Sequence, residues 1–344
     1  MRAMILRALA SLEANPEPLE LTDLPVPVPG DGEVRIRISA CGVCHTELDE
    51  IEGRLPPPRL PVVPGHQVVG RVDALGAGVE GFREGDRVGV PWIGSACGRC
   101  KYCREGNENL CPFFAATGRD ADGGYAEFMT VPALFAHPIP DVFSDVEAAP
   151  LLCAGAIGYR SLKLAGIADG EALGLTGFGA SAHLVLQIVR HRYPATRVHV
   201  FARSEGERRF ARELGAAWAG GSGEEPPEKL AAIIDTTPAW QPVVEALKNL
   251  EPAGRLVINA IRKEERDKAA LLGLDYPSQL WMEKEIKSVA NVARSDVREF
   301  LAEAAATPIR PEVQEFPLAA ANQALRELKE RRIRGAKVLR IGAA

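Results

Sequence analysis

The sequence predicts two domains, the first rich in β-structure and the second an α/β domain with a parallel sheet. Three observations predict this: the length of 344 residues, short alternating strands in the first 150 residues, and a strand–helix alternation that begins near Glu147. A chain of this length exceeds what one ordinary hydrophobic core fills, so two domains are expected. With 46% hydrophobic and 25% charged residues, the composition is typical of a globular protein.

The net charge excludes some classes of binding partner, and the N-terminal sequence indicates the cellular compartment. The net charge is −5 and no Lys/Arg block stands out, so neither nucleic acid nor a membrane is expected as a partner. The apolar stretch at the start is broken by Arg7 and Glu13 and is too short for a signal peptide or a membrane span. We therefore expect a cytoplasmic protein, in which clustered cysteines are metal ligands rather than disulfides.

The first 150 residues contain short strands between turn residues. Apolar and other residues alternate strictly at 33–38, and a second strand is predicted at 70–75. Five of the ten residues at 55–64 are proline, so this segment cannot be helical. These features predict the β-rich domain.

From residue 147 onward the pattern predicts helices and buried strands in turn. An Ala-rich helix is expected at 147–163, and the last fifty or so residues are predicted to form mixed short elements with a charged helix at 320–331. Between them the predicted strands are 172–176, 198–202, 231–235 and 255–259, and the predicted helices are 181–191 and 206–214. Alternation of this kind predicts a parallel sheet with helices on both faces.

A glycine-rich turn follows the first of these strands. Gly177 would permit the tight turn, Gly179 would let a pyrophosphate approach the backbone, and Ala182 would allow close helix packing. The alternative is that these small residues serve packing alone. The next strand ends at Arg203 and Ser204 without a carboxylate, which favours NADP over NAD. In the alternative interpretation, Arg203 is a solvated surface arginine.

The seven cysteines fall into two sets. Four occur within fifteen residues, at Cys97, Cys100, Cys103 and Cys111, and this spacing predicts a closed tetrahedral zinc site, with disulfides as the alternative. Cys44 and Cys153, together with His66, would supply the three ligands of a catalytic zinc. Spacing alone does not show that these three converge: a lone histidine is more often structural, and a lone cysteine is more often a small buried hydrophobic residue.

Five separated motifs occur in the order Cys44-His-Thr-Glu47, Gly65-His66, the Cys97–Cys111 run, Leu151-Leu-Cys-Ala-Gly155 and Gly177-Phe-Gly179. Together they resemble the zinc-dependent alcohol dehydrogenases of the medium-chain dehydrogenase/reductase superfamily. The stretches Gly177–His183, Ser288–Asn291 and Ile333–Ala336 resemble more closely the bacterial branch grouped with cinnamyl-alcohol dehydrogenases. The resemblance implies a GroES-like catalytic domain (1–152 and 290–344) with a structural zinc lobe at about 92–112. It also implies an inserted Rossmann domain (153–289).

The resemblance also implies roles for individual residues. Cys44, His66 and Cys153 would hold a catalytic zinc, and the four clustered cysteines a structural one, which makes two zinc ions per chain. Thr46 would hydrogen-bond the substrate oxygen and pass on its proton, and His45 would contact the cofactor pyrophosphate. Leu55 and Trp92 would line an apolar substrate pocket, although core packing is an equal alternative for Trp92.

The sequence departs from the family pattern at four positions. Gln67 replaces a glutamate, which should make the metal site more electropositive, and Glu47 replaces the commoner aspartate. Asp49 stands where many relatives have a relay histidine, which leaves the proton path beyond Thr46 open. Ala336 stands where some relatives bind the pyrophosphate with arginine, and Arg334 or Lys337 would then compensate.

The resulting hypothesis is a reversible, zinc-dependent, NAD(P)-linked oxidoreductase. Its partners would be small primary alcohols and aldehydes, apolar or aromatic, and it would form a homo-oligomer, either a dimer or a tetramer. The alternatives are a polyol or secondary-alcohol dehydrogenase of the same superfamily and a non-catalytic sensor that binds zinc and nucleotide.

Overall fold

The computed structural model of the protein describes residues 1–332 and 334–342. The chain forms two compact units. The first consists of Met1–Ala156, Asn291–Ala306 and the described part of Arg310–Ala344, and the second of Ile157–Ala290 with Thr307–Ile309. Among the described residues, no helix is both long enough and apolar enough to cross a lipid bilayer.

The regular elements are numbered in chain order. The strands are β1 (Arg2–Leu6), β2 (Leu19–Asp23), β3 (Glu33–Val43), β4 (Val68–Leu75), β5 (Arg87–Val90), β6 (Ile93–Ser95), β7 (Ala115–Ala116), β8 (Phe128–Pro132), β9 (His137–Pro138), β10 (Leu173–Thr176), β11 (Val198–Phe201), β12 (Trp218–Gly220), β13 (Leu230–Asp235), β14 (Leu250–Ile258), β15 (Glu285–Ser288), β16 (Val313–Pro317) and β17 (Ala336–Arg340). The α-helices are α1 (His45–Ile51), α2 (Lys101–Arg104), α3 (Asp145–Pro150), α4 (Ala156–Ala165), α5 (Ala180–Arg192), α6 (Glu205–Glu213), α7 (Gln241–Lys248), α8 (Tyr276–Gln279), α9 (Arg294–Ala306) and α10 (Ala321–Lys329).

The first unit is built on a mostly antiparallel sheet. Its strand order is β16-β17-β3-β4-β5-β9, and β8 also pairs with β3. The alternation predicted at 33–38 is confirmed, since Val34, Ile36 and Ile38 are buried in β3. The strand continues to Val43, so that its end delivers the chain directly into α1.

A helical segment that begins at Asp145 also belongs to the first unit. Ser144 caps it, because its side chain accepts a hydrogen bond from the Glu147 backbone N–H while Glu147 bonds back to the Ser144 N–H. Pro150 lies inside the helix and has no N–H to donate, and residues 151–155 form a π-helical turn before α4. Cys153 lies in this wider turn.

The second unit is the predicted α/β domain, and its fold class is confirmed. All strand pairs in its six-stranded sheet, of order β12-β11-β10-β13-β14-β15, are parallel. The chain builds outward from β10 to β12, then returns to place β13 on the other side of β10. The order therefore reverses between β10 and β13, and ligands of such sheets bind beyond the strand ends at this switch point.

Candidate active site

Three ligand-type side chains from distant parts of the chain converge in the first unit. Cys44 follows the end of β3, His66 precedes β4, and Cys153 lies in the π-helical turn. One ligand atom from each lies within 4.8 Å of the others, and His66 Nε2 is 3.2 Å from Cys153 Sγ, although these two residues are 87 positions apart. The structure therefore brings together the three residues whose convergence the spacing left open.

Glu47 joins two of these residues from behind. Its Oε2 accepts a hydrogen bond of 2.7 Å from the backbone N–H of Cys44, and its Oε1 lies 2.5 Å from His66 Nδ1. Both side chains are buried, at 0% and 1% exposure. Because Nδ1 is engaged by the carboxylate, Nε2 faces the two sulfurs, as is usual for a histidine prepared to bind a metal.

The donor set fits zinc. Two sulfurs and one imidazole nitrogen match the three protein ligands of catalytic zinc sites. A hydrogen bond from Cys153 lowers the pKa of the Cys44 thiol well below its usual range, and His66 lowers it further. The same hydrogen bond and burial raise the pKa of Cys153. Cys44 is therefore readily ionised, and a bound cation would favour ionisation of Cys153 as well.

Thr46 and His45 occupy the first turn of α1. Thr46 is buried, and its Oγ1 lies 3.6 Å from Cys44 Sγ, close enough to act on a group bound at the cluster. His45 is exposed. Leu55 is half-buried and donates its N–H to the Asp49 carbonyl at 2.9 Å.

Trp92 contacts both the three-residue cluster and a neighbouring aromatic side chain. Its ring centroid is 6.4 Å from that of His66 in an edge-on arrangement and 5.2 Å from that of Phe114. Its Nε1 donates to Glu50 Oε1 at 3.3 Å. The packing and site interpretations of Trp92 are therefore compatible.

Glu50 is a site residue that the sequence reasoning missed. It is 1% exposed, and burial together with the Glu47 charge raises its pKa to about 8. Its position three residues after Glu47 on α1 was the available signal, because residues three apart share a helix face. With a pKa of about 8, Glu50 is mostly protonated near neutral pH, so it does not replace the negative charge that Gln67 removes.

The two other departures also have local explanations. Asp49 Oδ1 accepts a hydrogen bond of 2.5 Å from Arg54 Nε, so the residue that departs from the family pattern forms a carboxylate–guanidinium pair. Lys337 is 1% exposed and donates to Glu327 and Gln314, at 2.7 and 2.6 Å. The suggestion that Lys337 binds a pyrophosphate is wrong, because its ammonium group is buried and paired with Glu327 inside the first unit.

The four clustered cysteines also converge. Their sulfurs lie within 4.8 Å of one another, with Cys100 Sγ 3.5 Å from Cys103 Sγ. All four are free thiols, and backbone N–H groups of Arg99 and Cys100 lower the pKa of Cys97 to about 6. Four soft donors around one point suit a closed tetrahedral zinc.

The glycine-rich turn lies at the switch point of the second unit. Gly177 has a φ of +76°, and a Cβ there would be 2.9 Å from Thr236 Oγ1, so a larger residue is excluded by both conformation and space. Gly179 caps α5, and Ala182 is fully buried in its first turn. This is the arrangement in which a helix N-terminus faces a phosphate.

Of the two polar residues after β11, only Arg203 has a side chain that is free to contact a ligand. Arg203 is exposed and makes no ion pair within the described ranges 1–332 and 334–342. Ser204 is the N-cap of α6: its Oγ accepts from the Glu207 N–H at 3.2 Å and donates to the Glu207 carboxylate at 2.8 Å. The Ser204 hydroxyl is thus occupied by the helix cap.

Comparison with known proteins identifies the family. Residues 30–141 match the family described as alcohol dehydrogenase GroES-like domain. The chain is 45% identical to a probable alcohol dehydrogenase, AdhA, of Mycobacterium tuberculosis, over 94% of this chain and 93% of that protein. The chain belongs to the alcohol dehydrogenase family. An alcohol dehydrogenase of Geobacillus stearothermophilus is 34% identical over 94% of this chain and 96% of its own length.

Solved alcohol dehydrogenase structures have the same fold over the whole chain. A structure described as an NAD-dependent alcohol dehydrogenase superposes with a TM-score of 0.89 at 30% identity, covering 99% of this chain and 100% of that one. A cinnamyl alcohol dehydrogenase of Sorghum bicolor gives 0.82 at 26% identity, covering 98% and 97%. The resemblance to medium-chain alcohol dehydrogenases and the GroES-like and Rossmann fold class are confirmed.

Proposed function

We propose that this alcohol dehydrogenase is a zinc enzyme that transfers hydride reversibly between a nicotinamide nucleotide and small primary alcohols or aldehydes. The observation that carries the proposal is the convergence of Cys44 Sγ, His66 Nε2 and Cys153 Sγ within 4.8 Å. Three donors leave the fourth tetrahedral position for substrate, which distinguishes such a site from the four-cysteine cluster.

Each residue of the cluster has a defined task. Cys44, His66 and Cys153 would hold zinc, which supplies Lewis acidity to the substrate oxygen when bound. The Thr46 hydroxyl, 3.6 Å from Cys44 Sγ, would hydrogen-bond that oxygen and carry its proton. Glu47 would keep the His66 ring and the Cys44 backbone in place. The four-cysteine cluster would hold a second, structural zinc.

The nicotinamide nucleotide would bind at the Gly177 turn. Backbone N–H groups at Gly179 and in the first turn of α5 would donate hydrogen bonds to its pyrophosphate. It supplies or takes up the hydride when bound. NADP is our preferred nucleotide, because Arg203 is exposed and unpaired in the described structure, and a guanidinium suits a 2′-phosphate. NAD is the second candidate, because Ser204 is occupied by its cap and the relative at 30% identity is described as NAD-dependent.

The substrate would be apolar or aromatic. The Trp92 ring lies beside His66, and an indole wall favours such a side chain over a polyol. Leu55 is proposed as a second wall. The similarity to a cinnamyl alcohol dehydrogenase points in the same direction. A polyol or secondary alcohol remains the alternative, and sorbitol, benzyl alcohol and cinnamaldehyde in one assay panel would separate them.

A cytoplasmic homo-oligomer completes the proposal. Zinc sites made of free thiols suit a reducing compartment. In the described structure β15 is an outer strand of its sheet, and all four of its residues are exposed. Trp281, Met282 and Ile286, at 56%, 52% and 46% exposure, add apolar surface to this edge. A second copy aligned antiparallel to β15 would cover these groups and pair the open strand edge.

The variant Cys44→Ser tests the proposed function. We expect it to lose one of two zinc equivalents and about a thousandfold or more in kcat, because Lewis-acid stabilisation is worth several kcal/mol. It should remain folded and bind nucleotide as the wild type does. The measurements are zinc content, initial rates with NADH and NADPH, and nucleotide fluorescence titration.

The matched control is Cys41→Ala, which removes a buried thiol that lies outside both clusters. It should keep both zinc ions and the activity. Full activity of Cys44→Ser would overturn the catalytic assignment. A wild type that binds zinc and nucleotide but turns over none of the panel would instead support the non-catalytic sensor.

A further inference from the structure

A buried ion pair lies at the switch point of the second unit, next to the Gly177 turn. Thr176 and Asp235 are the last residues of β10 and β13 and are partners in the sheet register. Thr176 Oγ1 donates to Asp235 Oδ1 at 2.5 Å. The Asp235 side chain is completely buried, so a carboxylate lies under the crevice in which an anionic ligand of this sheet would bind.

Lys263 neutralises this carboxylate. Its ammonium group contacts Asp235 Oδ2 and donates to the carbonyl oxygens of Thr237 and Ala239, at 2.7 and 3.0 Å. The side chain is 8% exposed. All three of its N–H donors are therefore used, so Lys263 cannot act by touching a nucleotide and must act through the groups that it holds.

The segment held by Lys263 forms a wall of the glycine-rich turn. Thr237 Oγ1 donates to Asp235 Oδ1 at 2.8 Å, and Thr236 Oγ1 donates to the Thr176 carbonyl at 2.9 Å. Both threonines face Gly177 so closely that a Cβ there would lie 2.9 Å from Thr236 Oγ1 and 3.1 Å from Thr237 Cγ2. A shift of residues 236–239 would therefore change the shape of the turn.

We propose that Lys263 is a positioning residue for the nicotinamide nucleotide. It holds residues 236–239 against the Gly177 turn and cancels the Asp235 charge, which would otherwise repel the pyrophosphate across a medium of low dielectric. The inference rests on the proposed function, because it takes the nucleotide to bind at this turn. It adds a residue that lies 86 positions after Gly177 in the sequence numbering and has no part in the glycine-rich motif.

The test uses the full-length enzyme and the variants Lys263→Met and Asp235→Asn/Lys263→Met. For Lys263→Met we expect the Kd for both NADH and NADPH to rise about tenfold or more, since a buried carboxylate loses its partner. The double variant removes both charges, so its melting temperature should recover toward the wild-type value. Its Kd should stay raised, because the carbonyls of residues 237 and 239 remain unheld. The KM for nucleotide should rise in both variants while the KM for alcohol hardly changes.

Lys268→Met is the matched control, because Lys268 is 57% exposed and, among residues 1–332 and 334–342, forms an ion pair only with the exposed Glu265 on the same segment. It should bind nucleotide as the wild type does. The double variant decides the outcome if Lys263→Met does not fold. A double variant with wild-type Kd values would overturn the inference and leave the proposed function intact. Wild-type enzyme that binds neither nucleotide would overturn the proposed function and the inference together.

Discussion

Glu47 is the residue on which the geometry of the three-ligand cluster most depends. One carboxylate contacts both the Cys44 backbone N–H and the His66 ring, from opposite oxygens. Its burial opposes ionisation and raises its pKa, while His66, when protonated, acts in the other direction. The glutamate in place of the commoner aspartate has the reach for both contacts, so this departure preserves the orientation of the ligands.

Arg203 is the residue that we expect to select NADP over NAD. Arg203→Asp should lower the ratio of kcat/KM with NADP to that with NAD by about a hundredfold, because a charge-assisted bond to the 2′-phosphate is replaced by repulsion. Initial rates with both nucleotides measure this ratio. Arg209→Asp, with the same charge change at an exposed position within α6, should leave the ratio unchanged. If Arg203→Asp also leaves it unchanged, Arg203 has no part in cofactor selection.

At the scale of elements, both thiols of the three-residue cluster lie where regular structure changes. Cys44 is the N-cap of α1, and Cys153 lies in the π-helical turn that follows Pro150. Helix N-termini favour thiolates, and π-turns redirect a side chain out of the regular helix. The positions of the ligands therefore follow from how the elements begin and break.

The four-cysteine cluster is expected to stabilise the fold through its zinc. Cys103→Ser should remove one zinc and lower the melting temperature by about 5 °C or more, since structural zinc contributes directly to the free energy of folding. Differential scanning calorimetry with metal analysis measures both effects. Cys44→Ser, which should lose the other zinc, should shift the melting temperature less. An unchanged melting temperature for Cys103→Ser would contradict a structural role for this loop.

At the scale of the whole molecule, the two units carry separate parts of the proposed function. Every residue proposed to hold metal lies in the first unit, and every residue of the glycine-rich turn and its Lys263 clamp lies in the second. Variants in one unit should therefore leave binding by the other measurable. This separation is why zinc content and nucleotide affinity are independent readouts in the experiments above.

The proposed homo-oligomer predicts that a charge placed on the edge of β15 lowers the mass of the protein in solution. Ile286→Lys places a second positive charge beside Lys287 on the exposed edge of β15, which should block pairing with a second copy and reduce the mass in solution to that of one chain. Light scattering after size-exclusion chromatography measures this mass. Leu134→Lys is the control, because Leu134 is 72% exposed in the other unit. A wild-type monomer would contradict the proposed homo-oligomer.

Much of the fold could be predicted from local patterns. The strand at 33–38, four of the six strands of the parallel sheet and the glycine-rich turn were predicted from a few consecutive residues, and the structure has them within a few positions. The elements missed are mainly short, such as β12 and β15, whose sequences lack a strong period. Their strand character comes from their pairing partners rather than from their own residues.

The residues alone were enough to predict the family, the candidate metal ligands and the glycine that the turn requires, because spacing and residue type are local properties of a chain. The folded chain was needed to show that Cys44, His66 and Cys153 meet, that Ser204 and Lys337 are engaged elsewhere, and that Lys263 reaches Asp235. These contacts join residues from different elements. They depend on sheet register and on packing between elements, which no local pattern contains.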